Sequence, residues 1–277
     1  MSKAAFGVSD PTELSFLSGV ELRRITREER ARWNERVSQH PYLGNGAMVG
    51  EQLCYVAQRD GEWLALLGWS AAAYHLKGRD GWIGWDDNQR RERLLMVANN
   101  ARYCLLTQAG EHPNLASHVM GLNLSRLSGD WQEAYGHPIL VVESFVDLPL
   151  FRGTCYKATG WRAVGCTAGF KRVAEDFYQV HDRPKQLFVR ELFKHAACKL
   201  RARHLPSALA GYERPICPRC LLPPEQGRDL RAMLQAWVPE SRSVHGMRHK
   251  QATVLAIAFA YLWAGEGTGR SCSLHGI

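Results

Sequence analysis

The apolar run Ile139–Phe145 (ILVVESF) constrains the fold of this chain more than any other stretch. A nearly continuous run of this length is typical of a central strand that helices cover on both faces of a sheet. One carboxylate, Glu143, lies inside it, and an ionised group in such a strand is costly unless it is paired or has a shifted pKa. We therefore predict a buried strand in which Glu143 is either a general base or the partner of a nearby arginine such as Arg102.

The segments around this strand predict an α/β fold with a mixed, twisted sheet and flanking helices. Asp60-Gly61 lies between two apolar runs and is a strong signal for an antiparallel hairpin. Helical and strand-like segments alternate after it, as they do in α/β domains. In chain order the predicted elements are a helix over 26–39, strands over 52–58 and 63–69, a helix over 88–97, a strand over 102–107, a helix over 114–127, the strand over 139–145, a short helix from 151, strands over 161–167 and 185–191, and a basic helix over 193–204.

Proline spacing divides the chain at about residue 206. Before that point, residues 21–205 hold the predicted α/β elements, and the polar residues 1–20 are expected to form a flexible arm. After it, residues 206–227 form a linker and residues 228–277 a small helical segment. Five prolines mark the linker, namely Pro206, Pro215, Pro218, Pro223 and Pro224.

The charge balance is basic, with 35 lysines and arginines against 27 acidic residues, or +8. It favours a polyanionic partner such as nucleic acid, although surface charge also serves solubility. Eight cysteines show no disulfide framework, no secretory leader is apparent, and the longest apolar run is too short to cross a bilayer. We therefore expect a cytoplasmic protein without a membrane anchor.

Tyr156, Gly160 and Trp161 form the pattern Tyr-x-x-x-Gly-aromatic directly before a predicted strand. Together with the preceding order of strand, helix and strand, this pattern resembles the GNAT acyltransferase fold over residues 20–170. The resemblance implies that Tyr156 acts as an acid, since a tyrosine hydroxyl at this place can protonate a leaving thiolate. It also implies that two neighbouring strands spread apart, so that this hydroxyl and the helix starting at Asn114 face one hollow. Glu143 would then be the base.

The same resemblance implies an acyl-CoA whose pyrophosphate binds at the start of the helix over 114–127. Free backbone N–H groups and the helix dipole favour an anion there, and the candidate residues are Asn114, Ser117 and Arg102. Capping alone also explains Asn114. The preceding loop, Gln108-Ala109-Gly110-Glu111-His112-Pro113, matches the GNAT phosphate loop only in fragments, and its Glu111 would repel phosphate. The cofactor is therefore left open.

Six ordered segments resemble the DruA family of Druantia anti-phage systems, whose members also occur beside transposases. The resemblance implies a role in phage defence or mobile elements, acting on or binding nucleic acid, with other defence or transposase proteins as partners. If the chain catalyses, group transfer to a nucleotide base is the chemistry that this context favours. The segments are IGW (Ile83–Trp85), VANNARYCLL (Val97–Leu106), PNLASHVMGL (Pro113–Leu122), VVESFVD (Val141–Asp147), FRGTCYKATGW (Phe151–Trp161) and VGCTAG (Val164–Gly169).

Residues 238–271 resemble the short segment that precedes the catalytic domain of some insertion-sequence DDE transposases. In both, a basic Gly-x-Arg-His stretch, here Gly246 to His249, leads into an apolar helix. We expect no cleavage of DNA by two metal ions from this chain alone, because the domain that carries the three carboxylates does not follow. Two alternatives stay open beside group transfer: a non-catalytic DNA-binding accessory of a transposase, and a small-molecule N-acetyltransferase.

Four further residues are candidates for substrate binding. Asn99 and Asn100 form either a turn or a ligand contact just before a predicted strand. Asp147 ends the central strand at its carboxyl edge, where open α/β sheets usually place ligands. Trp85 either stacks on a base or packs in the core.

Basic residues concentrate after residue 184, with few acids among them. A solvated face is one interpretation, and contact with a phosphate backbone is the other. The nucleic-acid-binding candidates are Lys185, Arg190, Lys194, Lys199, Arg201, Arg203 and Arg248.

Cys217-Pro218-Arg219-Cys220 is half of a zinc ribbon. Four-coordinate zinc needs two more ligands at matching spacing, and the sequence offers no second Cys-x-x-Cys pair. We therefore predict no metal, with Cys217 and Cys220 as the residues that come closest to a site.

Overall fold

The structure, a computed structural model, describes residues 10–43, 48–108, 110–167, 170–174, 177–180 and 184–213. The chain divides into two compact units, and nearly all of the described residues belong to the first, which comprises Met1–Val173 and Tyr178–Arg214. The predicted linker beyond residue 213 and the helical segment over residues 228–277 lie outside the described residues.

Helices and strands alternate along the first unit. The helices are α1 (Pro11–Ser18), α2 (Arg30–Ser38), α3 (Lys77–Ile83), α4 (Asp87–Arg93), α5 (Leu115–Tyr135), α6 (Thr154–Ala158), α7 (Ala196–Arg201) and α8 (Ser207–Ala210). The strands are β1 (Glu21–Arg24), β2 (Gln52–Arg59), β3 (Glu62–Ala71), β4 (Val97–Leu105), β5 (Val141–Val146), β6 (Arg162–Cys166), β7 (Phe170–Ala174), β8 (Phe177–Val180) and β9 (Gln186–Glu191).

A mixed seven-stranded sheet organises these elements, in the order β1-β2-β3-β4-β5-β9-β6. β4 and β5 run parallel, and the other neighbours run antiparallel. The β2–β3 hairpin turns at Asp60 and Gly61, which both have a positive φ, as the Asp-Gly pair predicted. β7 and β8 form a separate ribbon. The predicted α/β class with a mixed sheet and flanking helices is therefore confirmed.

Helices bury both faces of the sheet. On one face, α5 packs Val119 and Trp131 against Trp69 and Val142. On the opposite face, α2 contributes Trp33 to a second cluster, while α3 and α7 contribute to a third. The strand predicted over 139–145 is thus central, and its Val141 and Val142 are fully buried on opposite sides.

Several element boundaries differ from the sequence prediction, and three of these differences are the following. Residues 11–18 belong to helix α1 instead of a flexible arm, because Asp10 caps the helix and Leu17 is buried in the core. β4 begins at Val97, five residues before the predicted Arg102, and the helix predicted over 88–97 ends in a 3-10 turn at Met96. α7 covers only Ala196–Arg201, because His195 adopts a positive φ at its start.

Glu143 forms a buried ion pair with Arg79 of α3. The Arg79 guanidinium lies 2.8 Å from the Glu143 carboxylate, and both side chains are 0% exposed. Ala73 N–H donates a further hydrogen bond to Glu143 at 2.9 Å, and Arg79 donates to the Ala73 carbonyl at 2.7 Å. Burial raises the pKa of Glu143, and the Arg79 cation opposes that rise. The sequence pointed to Arg102 as the partner; the arginine is Arg79, from a helix whose contact with β5 the sequence did not reveal.

We expect Arg79→Met to destabilise the fold by about 3–5 kcal/mol, because it leaves a buried carboxylate without its cation. Adding Glu143→Gln should recover part of that loss, since the uncompensated charge is then removed. Urea unfolding monitored by tryptophan fluorescence measures both. The exposed Arg91, replaced in Arg91→Met, is the control and should change stability by at most about 0.5 kcal/mol. Equal losses for Arg79→Met and Arg91→Met would contradict this account.

Candidate functional site

β4 and β5 pair only over their first halves. Their parallel register runs from Val97 opposite Val141 to Asn100 opposite Ser144. Beyond that pair, β4 continues against β3 and β5 continues against β9. The two strands therefore part inside the sheet, which is the spreading that the GNAT resemblance implied.

A bulge in β4 lies where the strands part. The β3–β4 register shifts so that Gly68 pairs with Arg102 and Trp69 with Asn100, which leaves Ala101 as the extra residue. A bulge bends its strand and increases the local twist, and this one lies directly after the last residue of β4 that pairs with β5. Asn99 and Asn100 lie within β4, and the alternative that they form a turn before the strand is therefore wrong.

The parted strands enclose a cleft of about 450 Å³, which falls within the roughly 300–1,000 Å³ typical of small-ligand sites. Its walls come from β4, from β5 and the loop after it, and from the start of α6. Six of the predicted site residues line it together, namely Asn99, Asn100, Arg102, Asp147, Tyr156 and Lys185.

The Tyr156 hydroxyl lies at the last paired residues of β4 and β5. It donates a hydrogen bond to Asn100 Oδ1 at 2.8 Å and accepts one from Ser144 Oγ at 3.0 Å. Its ring packs edge-on against Trp161 and stacks on Phe188, with ring centroids 5.0 and 5.6 Å apart. Gly160 has φ +76, a conformation that suits glycine and returns the chain so that Trp161 meets Tyr156. The Tyr-x-x-x-Gly-Trp pattern thus fixes the position of the hydroxyl.

Burial keeps both the Tyr156 hydroxyl and the neighbouring Cys155 thiol protonated. It raises the pKa of Tyr156 well above its usual value, so the phenol stays protonated at neutral pH. It also raises the pKa of the neighbouring Cys155 thiol to about 11, which argues against a cysteine nucleophile, because the thiolate is the reactive form. The site therefore offers a neutral proton donor.

The start of α5 already holds a carboxylate from the same chain. Glu13 of α1 accepts hydrogen bonds of 3.0 Å from both the backbone N–H and the side-chain amide of Asn114. Asn114 makes no side-chain cap of its own. Ser117 Oγ donates back to the Asn114 carbonyl at 3.0 Å, and Glu111 accepts from Gln108 N–H at 3.0 Å.

These contacts do not fit the pyrophosphate of an acyl-CoA. Glu13 occupies an N–H group that such an anion would use, and Glu111 adds a second negative charge in the preceding loop. Phe16 of α1 also stacks on His112, with ring centroids 3.6 Å apart. Asn114 and Ser117 are thus placed at the predicted helix start but are turned toward groups of this chain. We derive no chemistry through this cofactor.

Glu143 and Trp85 are two further predicted site residues that lie away from the cleft. Glu143 is held in its Arg79 pair and does not line the cleft, so this geometry gives no support to its role as base. Trp85 packs in the core cluster with Ile83 and Leu200, and its indole N–H donates to Asp80 at 3.0 Å. Packing, the alternative to base stacking, is what the structure shows for Trp85.

The family model that describes Druantia protein DruA matches residues 15–185, which is more than half of the chain. The chain belongs to the DruA family. The match contains every wall of the cleft. No curated protein sequence matches this DruA-family chain.

The backbone structure of this family member is similar to those of several solved acetyltransferases. The aminoglycoside acetyltransferase AAC(6')-Ib with coenzyme A is 15% identical and aligns over 66% of this chain and 99% of its own, with a TM-score of 0.42. A chimera of spermidine N-acetyltransferase SpeG from Vibrio cholerae and hSSAT is 9% identical over 63% and 96%, with a TM-score of 0.38.

The predicted basic cluster does not form one helix face in this DruA-family protein. Lys185 lines the cleft, and the half-buried Arg190 donates to the Thr159 carbonyl, while burial lowers its pKa. Lys194, Arg201 and Arg203 are exposed around α7, and Lys199 is half-buried there. Arg248, Cys217 and Cys220 lie outside the described residues.

Sequence reasoning missed Ser144, Tyr42 and Phe151 among the residues of the cleft. Ser144 is the hydrogen-bond donor to Tyr156, and its alternation with Glu143 along β5 was the signal available for it. Tyr42 and Phe151 stand at the cleft with ring centroids 4.7 Å apart. They are 38% and 41% exposed, and no periodic pattern in the sequence marks either of them.

The described part of the chain shows neither a metal-binding group nor a membrane-spanning helix. Within it, histidine, cysteine and acidic side chains form no group of three that could hold a metal ion. No helix among these residues is both long and apolar enough to cross a membrane.

We expect Tyr156→Phe to destabilise the fold by about 1–3 kcal/mol, because it leaves Asn100 Oδ1 without its donor in a buried position. Asn100→Leu in the same background should cost less than the sum of the two single changes, since both polar partners are then gone. Denaturant unfolding of the four proteins of this double-mutant cycle measures the coupling. Strict additivity would show that the hydroxyl and the amide do not interact.

Proposed function

We propose that this DruA-family protein acts in cytoplasmic anti-phage defence by binding an unpaired nucleobase of a nucleic acid in the cleft between β4 and β5. We further propose that the cleft transfers a group to that base from an activated donor molecule: the bond between the group and its leaving group breaks as the bond to the base forms, Tyr156 protonates the leaving group, and the base gives up a proton. The observation that carries the proposal is the parting of β4 and β5 at a buried, protonated tyrosine hydroxyl. Such a hollow can hold a flat ligand next to an acid.

The surroundings of the cleft support a nucleic acid as the ligand. Tyr42 and Phe151 present exposed rings at the cleft, and bases of single strands stack on such rings. Lys185 and Arg152 line the same cleft, where their charges can contact a phosphate. Exposed basic residues around α7, which include Lys194, Arg201 and Arg203, offer sequence-independent contacts to the rest of a strand.

Two side chains of the cleft, Tyr156 and Asp147, would donate and accept the protons. Burial raises the pKa of Tyr156, so the phenol carries its proton at neutral pH and cannot serve as the base; its place in the cleft is the reason that we assign it the role of acid. Among the residues that line the cleft, Asp147 carries the one carboxylate. We assign it the role of proton acceptor, which the sequence had suggested for Glu143.

The exposed basic residues around α7 favour a second candidate function, which is binding of nucleic acid without chemistry beside a transposase or defence partner. It would use the same surface and would leave the base unaltered. A small-molecule N-acetyltransferase is less well supported, because Glu13 occupies the helix start that would bind the donor.

We expect a modified nucleoside in cells that express the protein with its operon neighbours during phage challenge. Tyr156→Phe should lower its amount by about a hundredfold or more, the range typical of losing a general acid. The exposed Tyr74, replaced in Tyr74→Phe, is the matched control and should leave it unchanged. Mass spectrometry of digested nucleic acid is the measurement. An unaltered nucleoside profile in cells that demonstrably resist phage would exclude group transfer and leave the binding function.

We expect binding of single-stranded DNA to weaken with salt, and Arg201→Ala with Arg203→Ala to reduce that dependence. Losing two phosphate contacts should flatten the slope of log affinity against log salt by about 1.4, at about 0.7 per contact on a single strand. Mobility shifts at several salt concentrations measure the slope. Arg27→Ala with Arg36→Ala removes the same charge from exposed positions near α2 and serves as the control. An equal change in both pairs of variants would show that net charge, and not this surface, is responsible.

A further inference from the structure

Two acceptor oxygens of the cleft have no hydrogen-bond donor within the described part of the chain. They are Asn99 Oδ1 and Asp147 Oδ1, and both atoms are buried. Leaving a buried acceptor without a donor is unfavourable, and native proteins rarely do so without a reason. Both residues line the cleft and are only half-buried, so a ligand in the cleft can contact their side chains. The ligand should therefore supply N–H donors.

The two oxygens belong to one side of the cleft. Asn99 pairs with Glu143 in the β4–β5 register, so the two side chains share a face of the sheet. Alternation along β5, continued one residue past its end, puts Asp147 on the face of Glu143. Ser144 and Tyr156 meet on the opposite face. The acceptors and the proton donor thus approach a ligand from different sides.

Aromatic rings stand near these acceptors. Tyr42 and Phe151 line the same cleft, and their rings are inclined by 57° to each other, so that one of them can lie flat against a ligand while the other borders its edge. A planar ring with an N–H donor on its edge matches this combination of rings and acceptors.

We propose that the cleft selects a nucleobase that carries an exocyclic amino group, as adenine, cytosine and guanine do, and that this group donates a hydrogen bond to Asp147. This deepens the proposed function and rests on it. Hypoxanthine and uracil carry a carbonyl oxygen where adenine and cytosine carry the amino group. That oxygen would face the Asp147 carboxylate and be repelled by it. In a duplex the same amino group is engaged by the opposite base, so the base must be unpaired or extruded from the helix.

The test compares nucleotides that differ in this one group. The purified full chain is titrated with AMP and IMP, and separately with CMP and UMP, by isothermal calorimetry. We expect the amino-bearing member of each pair to bind at least about tenfold more tightly, as a buried acceptor gains or loses its donor. Because the sugar and phosphate are identical within a pair, the ratio reports on the base edge alone.

Two variants test whether Asp147 causes the preference for the amino-bearing nucleotide. Asp147→Ala should reduce the AMP to IMP ratio to nearly one, whereas Leu148→Ala, an exposed neighbour outside the cleft lining, should preserve it. Circular dichroism checks that both variants are folded. A ratio that survives in a folded Asp147→Ala protein would overturn the assignment of the acceptor.

The outcomes separate this inference from the proposed function. If all four nucleotides bind with equal affinity, the amino selectivity is wrong while base binding in the cleft stands. If none of them binds, and single-stranded oligonucleotides rich in adenine and cytosine do not bind either, both the inference and the proposed function fall.

Discussion

Four residue pairs between β4 and β5 hold the two halves of the sheet together, and the cleft exists because this ladder stops at Asn100 and Ser144. Each face of this short ladder carries its own buried polar interaction. The Glu143–Arg79 ion pair lies on one face, and the hydrogen bonds of the Tyr156 hydroxyl lie on the other. Two buried polar groups in so short a segment are costly unless every partner is in place. The site and the stability of the central sheet therefore depend on the same few residues.

Much of this architecture could be predicted from the sequence, because it depends on local signals. The central strand followed from its apolar run, the hairpin from Asp-Gly, and the position of Tyr156 from its spacing to Gly160 and Trp161. β4 was placed five residues late because its first residues, Val97 to Ala101, include two asparagines that resemble a turn. The bulge at Ala101 has no sequence signature of its own, and it directly follows these two asparagines of the cleft.

The roles of charged residues were harder to predict, since they depend on contacts between distant segments. Glu143 and Arg79 are 64 residues apart in the chain, and Glu13 and Asn114 are 101 apart. Nothing in the neighbourhood of either carboxylate reveals its partner. The basic residues from Lys185 to Arg203 look alike in the sequence, yet they divide between the cleft, a half-buried contact and an exposed surface. Residue type and spacing singled out these residues, and tertiary contacts decide where each of them lies.

Arg79 joins the carbonyl of Ala73, just past the end of β3, to the carboxylate on β5. It therefore bridges the two sheet halves that separate at the cleft, and a delocalised planar cation keeps a fixed geometry between its partners. The geometry of the cleft is therefore set before a ligand binds, and little conformational entropy is lost on binding. Under the proposed function, such a preformed hollow would favour a flat base over a bulkier ligand.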